Sequence, residues 1–172
     1  KWPSFSLSLP GNILNPKKLT ILRVNFFGAS PGKKLSLAEW ILSSAQSNNE
    51  ITLFDDVLFN PLLVNTLAKI ILKIAENKIS GTYHCTSDNG LTKYDFGVRL
   101  IKQFDIPFQP KRGSISSRKD LVARPKDMRL DNTKLKNTLN ISRLNIDDEI
   151  IKLKKLYNEG YNNKLKEIYE AN

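Results

Sequence analysis

Apolar residues in this chain form short continuous runs that alternate with longer stretches of helical spacing. The short runs predict strands at 19–25, 51–54 and 82–85. The longer stretches predict helices at 37–45, 61–76 and 92–104. The first run is mostly apolar and contains one charged residue, Arg23, which predicts a strand buried on both faces, as in a parallel sheet. This alternation indicates an α/β chain.

Start signals precede each of the predicted helices. Ser36 and Glu39 have the spacing of a capping box, in which each side chain bonds a backbone amide of the other residue. Asn60 followed by Pro61 is typical of an N-cap and a first helical position. Thr92 is placed to cap the third helix.

The pattern weakens after Pro107. One or two short strands are expected within 108–117, and an irregular segment at 121–130. A short helix is predicted to follow with Leu135 and Leu139 on its apolar face, and a last helix to start at Asp147 and Asp148. The residues from 158 to 172, rich in Asn, Lys and Glu, are expected to form an exposed tail.

Composition limits the class of protein. The 172 residues are 40% apolar with a mean hydropathy of −0.35, which fits one ordinary domain with a core. The sequence has no apolar run long enough to span a bilayer and no signal-peptide pattern, so no membrane association and a cytoplasmic location are expected. Cys85 is the single cysteine, and no Cys/His cluster has metal-ligand spacing, so no metal is expected.

The net charge of +10 is concentrated in one region. Nine Lys or Arg and three Asp lie between Lys111 and Lys136, a net charge of +6 over 26 residues. Such a concentration suits nucleic acid, an acidic membrane surface or a diphosphate, although it is also compatible with a merely solvated face. Because this region contains no aromatic residue on which bases could stack, nucleic acid is the less favoured ligand.

Three segments carry a resemblance to a known family. They are the strand and loop 22–28 (LRVNFFG), the acidic and aromatic loop 54–61 (FDDVLFNP), and the basic segment 124–131 (RPKDMRLD). Their order and spacing resemble the C-terminal, substrate-binding part of an extended short-chain dehydrogenase/reductase of the dTDP-4-dehydrorhamnose reductase type. The resemblance covers about 19–139.

The resemblance implies a fold and a division of the chain. The expected fold is the C-terminal part of a Rossmann-like short-chain reductase, with its last parallel strands and a small substrate-binding subdomain. The N-terminal cofactor-binding half is expected to be absent from the chain. Residues 19–157 would form the sugar-nucleotide-binding part, and residues 1–18, which do not follow the family pattern, a divergent N-terminal segment.

The resemblance also implies the site residues. Those expected to contact the nucleotide-diphosphate sugar are Asn25, Phe26, Phe59, Asn60, Arg124, Met128 and Arg129. Those expected beside the NADP or NAD of the complete enzyme are Asn25, Phe26 and Gly28. Arg124 is singled out for the diphosphate, because a guanidinium can hold phosphate oxygens by two parallel hydrogen bonds. A place in the core explains Phe27 at least as well as a ligand contact does. A role as a helix cap explains Asn60 better than a ligand contact does.

The sequence contains neither the cofactor-binding motif nor the catalytic motif of such reductases. The eight glycines form no Gly-x-x-Gly-x-x-Gly turn for a pyrophosphate, and no tyrosine is followed four residues later by lysine. No catalytic residue, no activity and no bound cofactor are therefore expected of this chain alone. A missing cofactor-binding half or a second copy of the chain is the expected protein partner. The alternative is a non-catalytic regulatory or nucleic-acid-binding protein that retains the fold.

Overall fold

The computed structural model describes residues 19–32, 34–118 and 125–170. Its strands are β1 (Thr20–Val24), β2 (Phe26–Phe27), β3 (Thr52–Phe54), β4 (Leu58–Phe59), β5 (Leu62–Leu63), β6 (Gly81–Cys85), β7 (Leu91–Thr92) and β8 (Lys111–Gly113). Its helices are α1 (Leu37–Gln46), α2 (Val64–Glu76), α3 (Lys93–Gln103), α4 (Thr133–Leu139), α5 (Ile146–Asn158) and α6 (Tyr161–Glu170). A short 3-10 turn spans Ile115–Ser117. The α/β prediction is confirmed.

The longest strands, β1 and β6, run parallel to each other. Their register pairs Thr20 with Gly81 and Val24 with Cys85, so the two strands end side by side. Leu22 and Val24 of β1 pack against a buried cluster from α2, α4 and β6. The members of that cluster include Leu67, Ile70, Ile74, Tyr83, Cys85, Leu135 and Leu139. The carboxyl ends of two parallel strands therefore meet at one edge, where ligands bind in open α/β sheets.

The prediction that β1 is buried on both faces is wrong for the described residues. Ile21 is 48% exposed, and Arg23 is also exposed, although both belong to the strand. The reason is that the buried cluster covers only the face that carries Leu22 and Val24. Alternate residues of β1 point to opposite faces, so the other face is open in this part of the chain.

A second buried cluster packs α1, α3 and α5 around Phe96, which has no exposed surface. The rings of Phe27 and Phe59 meet Phe96 edge to face, with centroids 5.1 and 5.5 Å away. Phe27 is 3% exposed and is thus a core residue, as the alternative interpretation of the sequence had it. Ile41 of α1 and Ile150 of α5 belong to the same cluster.

Two of the three predicted helix caps are confirmed. The Ser36 side chain accepts from the Glu39 amide and the Glu39 carboxylate accepts from the Ser36 amide, which completes the capping box. Thr92 caps α3 by accepting from the Asp95 amide.

The third predicted cap, Asn60, is wrong. Helix α2 begins at Val64, and the residue at its N-cap is Leu63, which makes no side-chain cap. Residues 62 and 63 pair with β2, and the Leu62 amide donates to the Asn25 carbonyl at 2.9 Å. Because this pairing keeps the chain extended past Pro61, the helix starts three residues later than predicted.

The second half of the chain follows the prediction in part. The strand β8 falls within 108–117, and α4 carries Leu135 and Leu139 on its buried face. Helix α5 begins at Ile146, one residue before the predicted start, and Asn145 caps it. The segment predicted as a tail contains α6, none of whose residues is buried. Among the described residues, no helix has the length and apolar character that crossing a membrane requires.

Candidate functional site

The candidate site lies where β1 and β6 end together. Asn25 follows β1, and Thr86 and Ser87 follow β6, fully buried. The Asn25 side-chain amide donates to the Met128 carbonyl at 2.7 Å and, more weakly, to Asn60 Oδ1 at 3.4 Å. Three of the residues predicted for the ligand therefore lie in contact, although 103 residues separate Asn25 from Met128.

Asn60 is the centre of this arrangement. It is 3% exposed, and its Nδ2 lies 3.0 Å from the Ser87 carbonyl, 3.1 Å from Thr86 Oγ1 and 2.7 Å from the Leu130 carbonyl. Its Oδ1 accepts from the Leu130 amide at 3.0 Å. The side chain thus bonds both backbone groups of Leu130, as the backbone of a neighbouring strand would. Asn60 joins the end of β6 to the segment that follows residue 125.

The same segment is also bonded to β4. The Leu58 amide donates to the Lys126 carbonyl at 2.6 Å, and the Met128 amide donates to the Leu58 carbonyl at 2.9 Å. Leu58 and Asp127 form an isolated parallel bridge. Residues 126–130 therefore lie against the loop that begins at β4, which fixes Met128 beside Asn25.

The side chain of Arg129 is paired within its own segment. Its Nη2 lies 2.6 Å from Asp127 Oδ2, and its Nε and backbone amide both donate to Asp127 Oδ1. The hydrogen bonds and positive charge of Arg129 lower the pKa of Asp127 to about 2. Both side chains are about half exposed. Because the Asp127 carboxylate already accepts hydrogen bonds from the Arg129 side chain, Arg129 has fewer donors available for a phosphate than the sequence suggested.

Asp56 connects the turn at residues 114–116 with Lys126, at the start of the segment 126–130. Its carboxylate accepts from Ser114 Oγ at 2.6 Å, from the Ile115 amide at 2.8 Å and from Ser116 Oγ at 3.2 Å. Lys126 Nζ lies 3.0 Å from the same carboxylate. These bonds, that of Ser114 foremost, hold the pKa of Asp56 well below its ordinary range. Asp56 therefore holds residues 114–116 and Lys126 together.

The lowered pKa of Asp56 makes the order of the 114–116 turn pH-dependent. A carboxyl whose pKa is lower in the folded than in the unfolded state stabilises the fold above the unfolded value of about 4, and loses that effect as the pH falls toward the folded value. We expect the Ile115 and Ser116 amides to lose protection from hydrogen exchange below about pH 4. In the Asp56→Asn variant we expect these amides to be less protected from exchange at neutral pH than in the wild type, and their protection to change less as the pH falls. The same pH profile in both proteins would contradict this role.

The remaining predicted residues are placed differently. Phe59 is 6% exposed and its ring contacts Phe96, so it serves the buried cluster. Phe26, the residue after Asn25, is 61% exposed, so most of its ring is open to solvent. Gly28 has a φ of +153°, and a Cβ there would come within 2.5 Å of Val64 Cγ1. Arg124 lies outside the described residues.

The predicted site residues did not include Asp56, Leu58, Thr86 and Ser87, although the first two lie in the loop 54–61 that carries the resemblance. The two that follow β6 could have been found from topology, because the residue after a parallel strand faces the ligand-binding edge. The hydroxyl of Ser87 is buried and has no hydrogen-bond partner within the described part of the chain. In the described ranges, His, Cys, Asp and Glu form no cluster that would hold a metal ion.

The chain is similar to known proteins in sequence and fold. A family model described as the RmlD substrate binding domain matches residues 13–157. A probable low-salt glycan biosynthesis reductase, Agl14, of Haloferax volcanii is 25% identical over 150 residues, which cover 85% of this chain and 50% of that protein. The chain therefore spans about half the length of this relative.

Solved structures show the same fold. The dTDP-4-dehydrorhamnose reductase from Bacillus anthracis, in complex with NADP, matches with a TM-score of 0.70 at 16% identity, over 78% of this chain and 47% of that one. The Clostridium acetobutylicum dTDP-4-dehydrorhamnose reductase ortholog matches with 0.68 at 19% identity, over 81% and 48%. The UDP-glucose 4-epimerase from Thermotoga maritima, with UDP-glucose, matches with 0.62 at 15%, over 83% and 46%. The chain thus has the architecture of about half of a Rossmann-like reductase.

Proposed function

Because the chain belongs to the RmlD substrate binding domain family, we propose that it is the sugar-nucleotide-binding part of an NAD(P)-dependent reductase acting on a dTDP-4-keto-6-deoxysugar. The observation that carries this proposal is the contact between Asn25, at the end of β1, and Met128, in the basic segment. It joins two of the three segments on which the resemblance rests, at the sheet edge where α/β proteins bind nucleotides. The names of the similar proteins add support, since they include reductases of dTDP-4-dehydrorhamnose.

The residues divide between the two ends of such a ligand. Asn25 is assigned to the sugar, since a side-chain amide can bond hydroxyl groups. Arg124 is assigned to the diphosphate, with Met128 beside the nucleotide and Arg129 in a secondary role. Asn60 and Phe59 support these residues from within, because both are buried.

The cofactor would meet the loop after β1. Phe26 offers an exposed flat ring, which fits the approach of a nicotinamide. Gly28 follows two residues later and is assigned to the same loop, where its positive φ and its close contact with Val64 require a glycine. Bound NAD(P) would supply the hydride. Because neither the glycine-rich turn nor Tyr-x-x-x-Lys occurs in the sequence, we propose that this chain alone neither binds the cofactor nor catalyses the reduction.

The open face of β1 suits a protein partner. Leu19, Ile21 and Phe26 expose 38%, 48% and 61% of their surfaces along this strand and the next. Among the described strands, β1 pairs only with β6, so its other edge is free to take a parallel strand. The occupant we propose is a cofactor-binding half, since the chain spans about half of the reductases it resembles.

Without that partner, the open face is expected to cause self-association. We expect sedimentation of the purified chain to show species larger than the monomer, and Ile21→Lys to shift the distribution toward the monomer. Ile71→Lys, at an apolar residue of α2 that is 46% exposed, is the matched control and should change it less. A wild-type chain that is monomeric and unfolds cooperatively would contradict the partner proposal.

Binding of the ligand is expected to depend on Arg124. Calorimetric titration with dTDP-rhamnose should show that Arg124→Ala weakens binding about tenfold to a hundredfold, because charge-assisted bonds contribute about 1.5–3 kcal/mol. Arg99→Ala is the control: it removes an equal charge that is paired with Asp147 outside the candidate site. Equal affinities for the two variants would remove Arg124 from the site.

We propose a cytoplasmic location for the chain and assign it no nucleic-acid ligand. The absence of aromatic residues between Lys111 and Lys136 supports the second assignment.

A further inference from the structure

The orientation of the Asn60 amide is fixed by backbone groups whose polarity cannot change. Its Nδ2 faces the carbonyls of Ser87 and Leu130, which only accept, and its Oδ1 faces the Leu130 amide, which only donates. If Oδ1 and Nδ2 of Asn60 exchanged places, an acceptor would face each of the two carbonyls and a donor would face the Leu130 amide. With the Asn25 amide as a second donor to Oδ1, every polar atom of Asn60 is engaged within the protein. A side chain so buried and so occupied has no capacity left for a ligand.

Asn60 and Met128 in turn fix the orientation of Asn25. The Met128 carbonyl and Asn60 Oδ1 both face Asn25 Nδ2, at 2.7 and 3.4 Å, and both are acceptors there. The two hydrogens of Nδ2 are thereby directed into the protein. No donor among the described residues reaches Asn25 Oδ1, and the residue is only half-buried. The atom that Asn25 offers to a ligand is therefore an acceptor.

We infer that Asn60 is a positioning residue that holds Asn25 with Oδ1 toward the ligand, so that this point of the site takes a neutral donor such as a sugar hydroxyl and disfavours a phosphate oxygen. Phosphate oxygens accept hydrogen bonds at neutral pH, so they would oppose Oδ1, whereas a hydroxyl can donate to it. This assignment rests on the proposed function and makes it more specific. Asn25 would bind the sugar, and the diphosphate would be bound by the basic segment 124–131.

Two ligands separate these roles. dTDP-rhamnose and dTDP share the base, the deoxyribose and the diphosphate, and only the first carries the hydroxyls of the rhamnose ring. Calorimetry should show that Asn25→Ala weakens dTDP-rhamnose about threefold to tenfold, the value of one neutral hydrogen bond, and changes dTDP by less than about twofold. Asn60→Ala, which removes the Oδ1 that accepts from Asn25 Nδ2, should weaken dTDP-rhamnose more than dTDP, whereas a loss of folding alone would weaken both ligands equally. Equal weakening of both ligands by Asn25→Ala would overturn the inference.

The orientation is also testable without a ligand. The side-chain amide hydrogens of Asn25 should exchange with solvent roughly tenfold more slowly than those of Asn77, because the Asn77 amide makes one bond at an exposed position. Equal exchange rates would overturn the orientation of Asn25. If wild-type protein bound neither nucleotide, the proposed function would fail, and the exchange rates would still decide whether Asn60 and Met128 hold Asn25 as described.

Discussion

Replacing Phe96 with alanine is expected to lower the free energy of unfolding by about 3–5 kcal/mol, which is the cost of truncating a buried aromatic residue. Phe96 has no exposed surface, and the rings of Phe27 and Phe59 both pack against its ring in edge-to-face contacts. Removal of its ring leaves a cavity that both neighbours border. Urea denaturation followed by circular dichroism measures the change.

Phe26→Ala is the matched control for this prediction. Phe26 has the same side chain but is 61% exposed, so we expect a change within about 0.5 kcal/mol. Similar losses in the two variants would mean that the aromatic cluster around Phe96 does not form the core described above.

Replacing Asn60 with alanine is expected to destabilise the chain by about 2–4 kcal/mol, because it leaves buried backbone groups without partners. The Leu130 amide and the Ser87 carbonyl both lose the partner described above, in a region where the side chain was 3% exposed. We also expect binding of dTDP-rhamnose to fall, because residues 126–130 lose the bonds that attach Leu130 to Asn60. Urea denaturation and calorimetry on the same samples measure the two effects.

Asn77→Ala is the control for the Asn60 variant. The Asn77 amide donates one exposed bond, to the Lys73 carbonyl, so its loss should cost less than about 0.5 kcal/mol. If Asn60→Ala were equally mild, its hydrogen bonds would not hold the basic segment to the end of β6.

Local signals in the sequence were sufficient for elements whose partners lie close in the chain. The capping box of Ser36 and Glu39 involves residues three apart, and it is formed as predicted. Asn60 carried an equally clear local signal, but its partners include Leu130, 70 residues away. Those buried bonds, together with the pairing of Leu62 with β2, outweigh the cap. A local rule cannot weigh a contact that exists only after the chain has folded.

The exposure of β1 had a different cause. An apolar run predicts burial but does not say what provides it, and the described residues cover only one face of this strand. Ile21 is therefore exposed despite its place in an apolar run.

The candidate site was predicted from a resemblance, since hydrophobic periodicity says nothing about which loops meet. The resemblance named Asn25, Asn60 and Met128, which lie in contact. It did not indicate that Phe59 belongs to the core or that Arg129 is paired with Asp127. Composition contributed the concentration of basic charge, which favours an anionic ligand without identifying it.

The central claim is tested most directly by calorimetric titration of the unmodified chain with dTDP-rhamnose, with NADPH and a short oligonucleotide as parallel ligands at two salt concentrations. We expect saturable binding of the nucleotide sugar and no binding of NADPH. Salt-sensitive binding of the oligonucleotide, with none of the nucleotide sugar, would mean that the fold serves a different function.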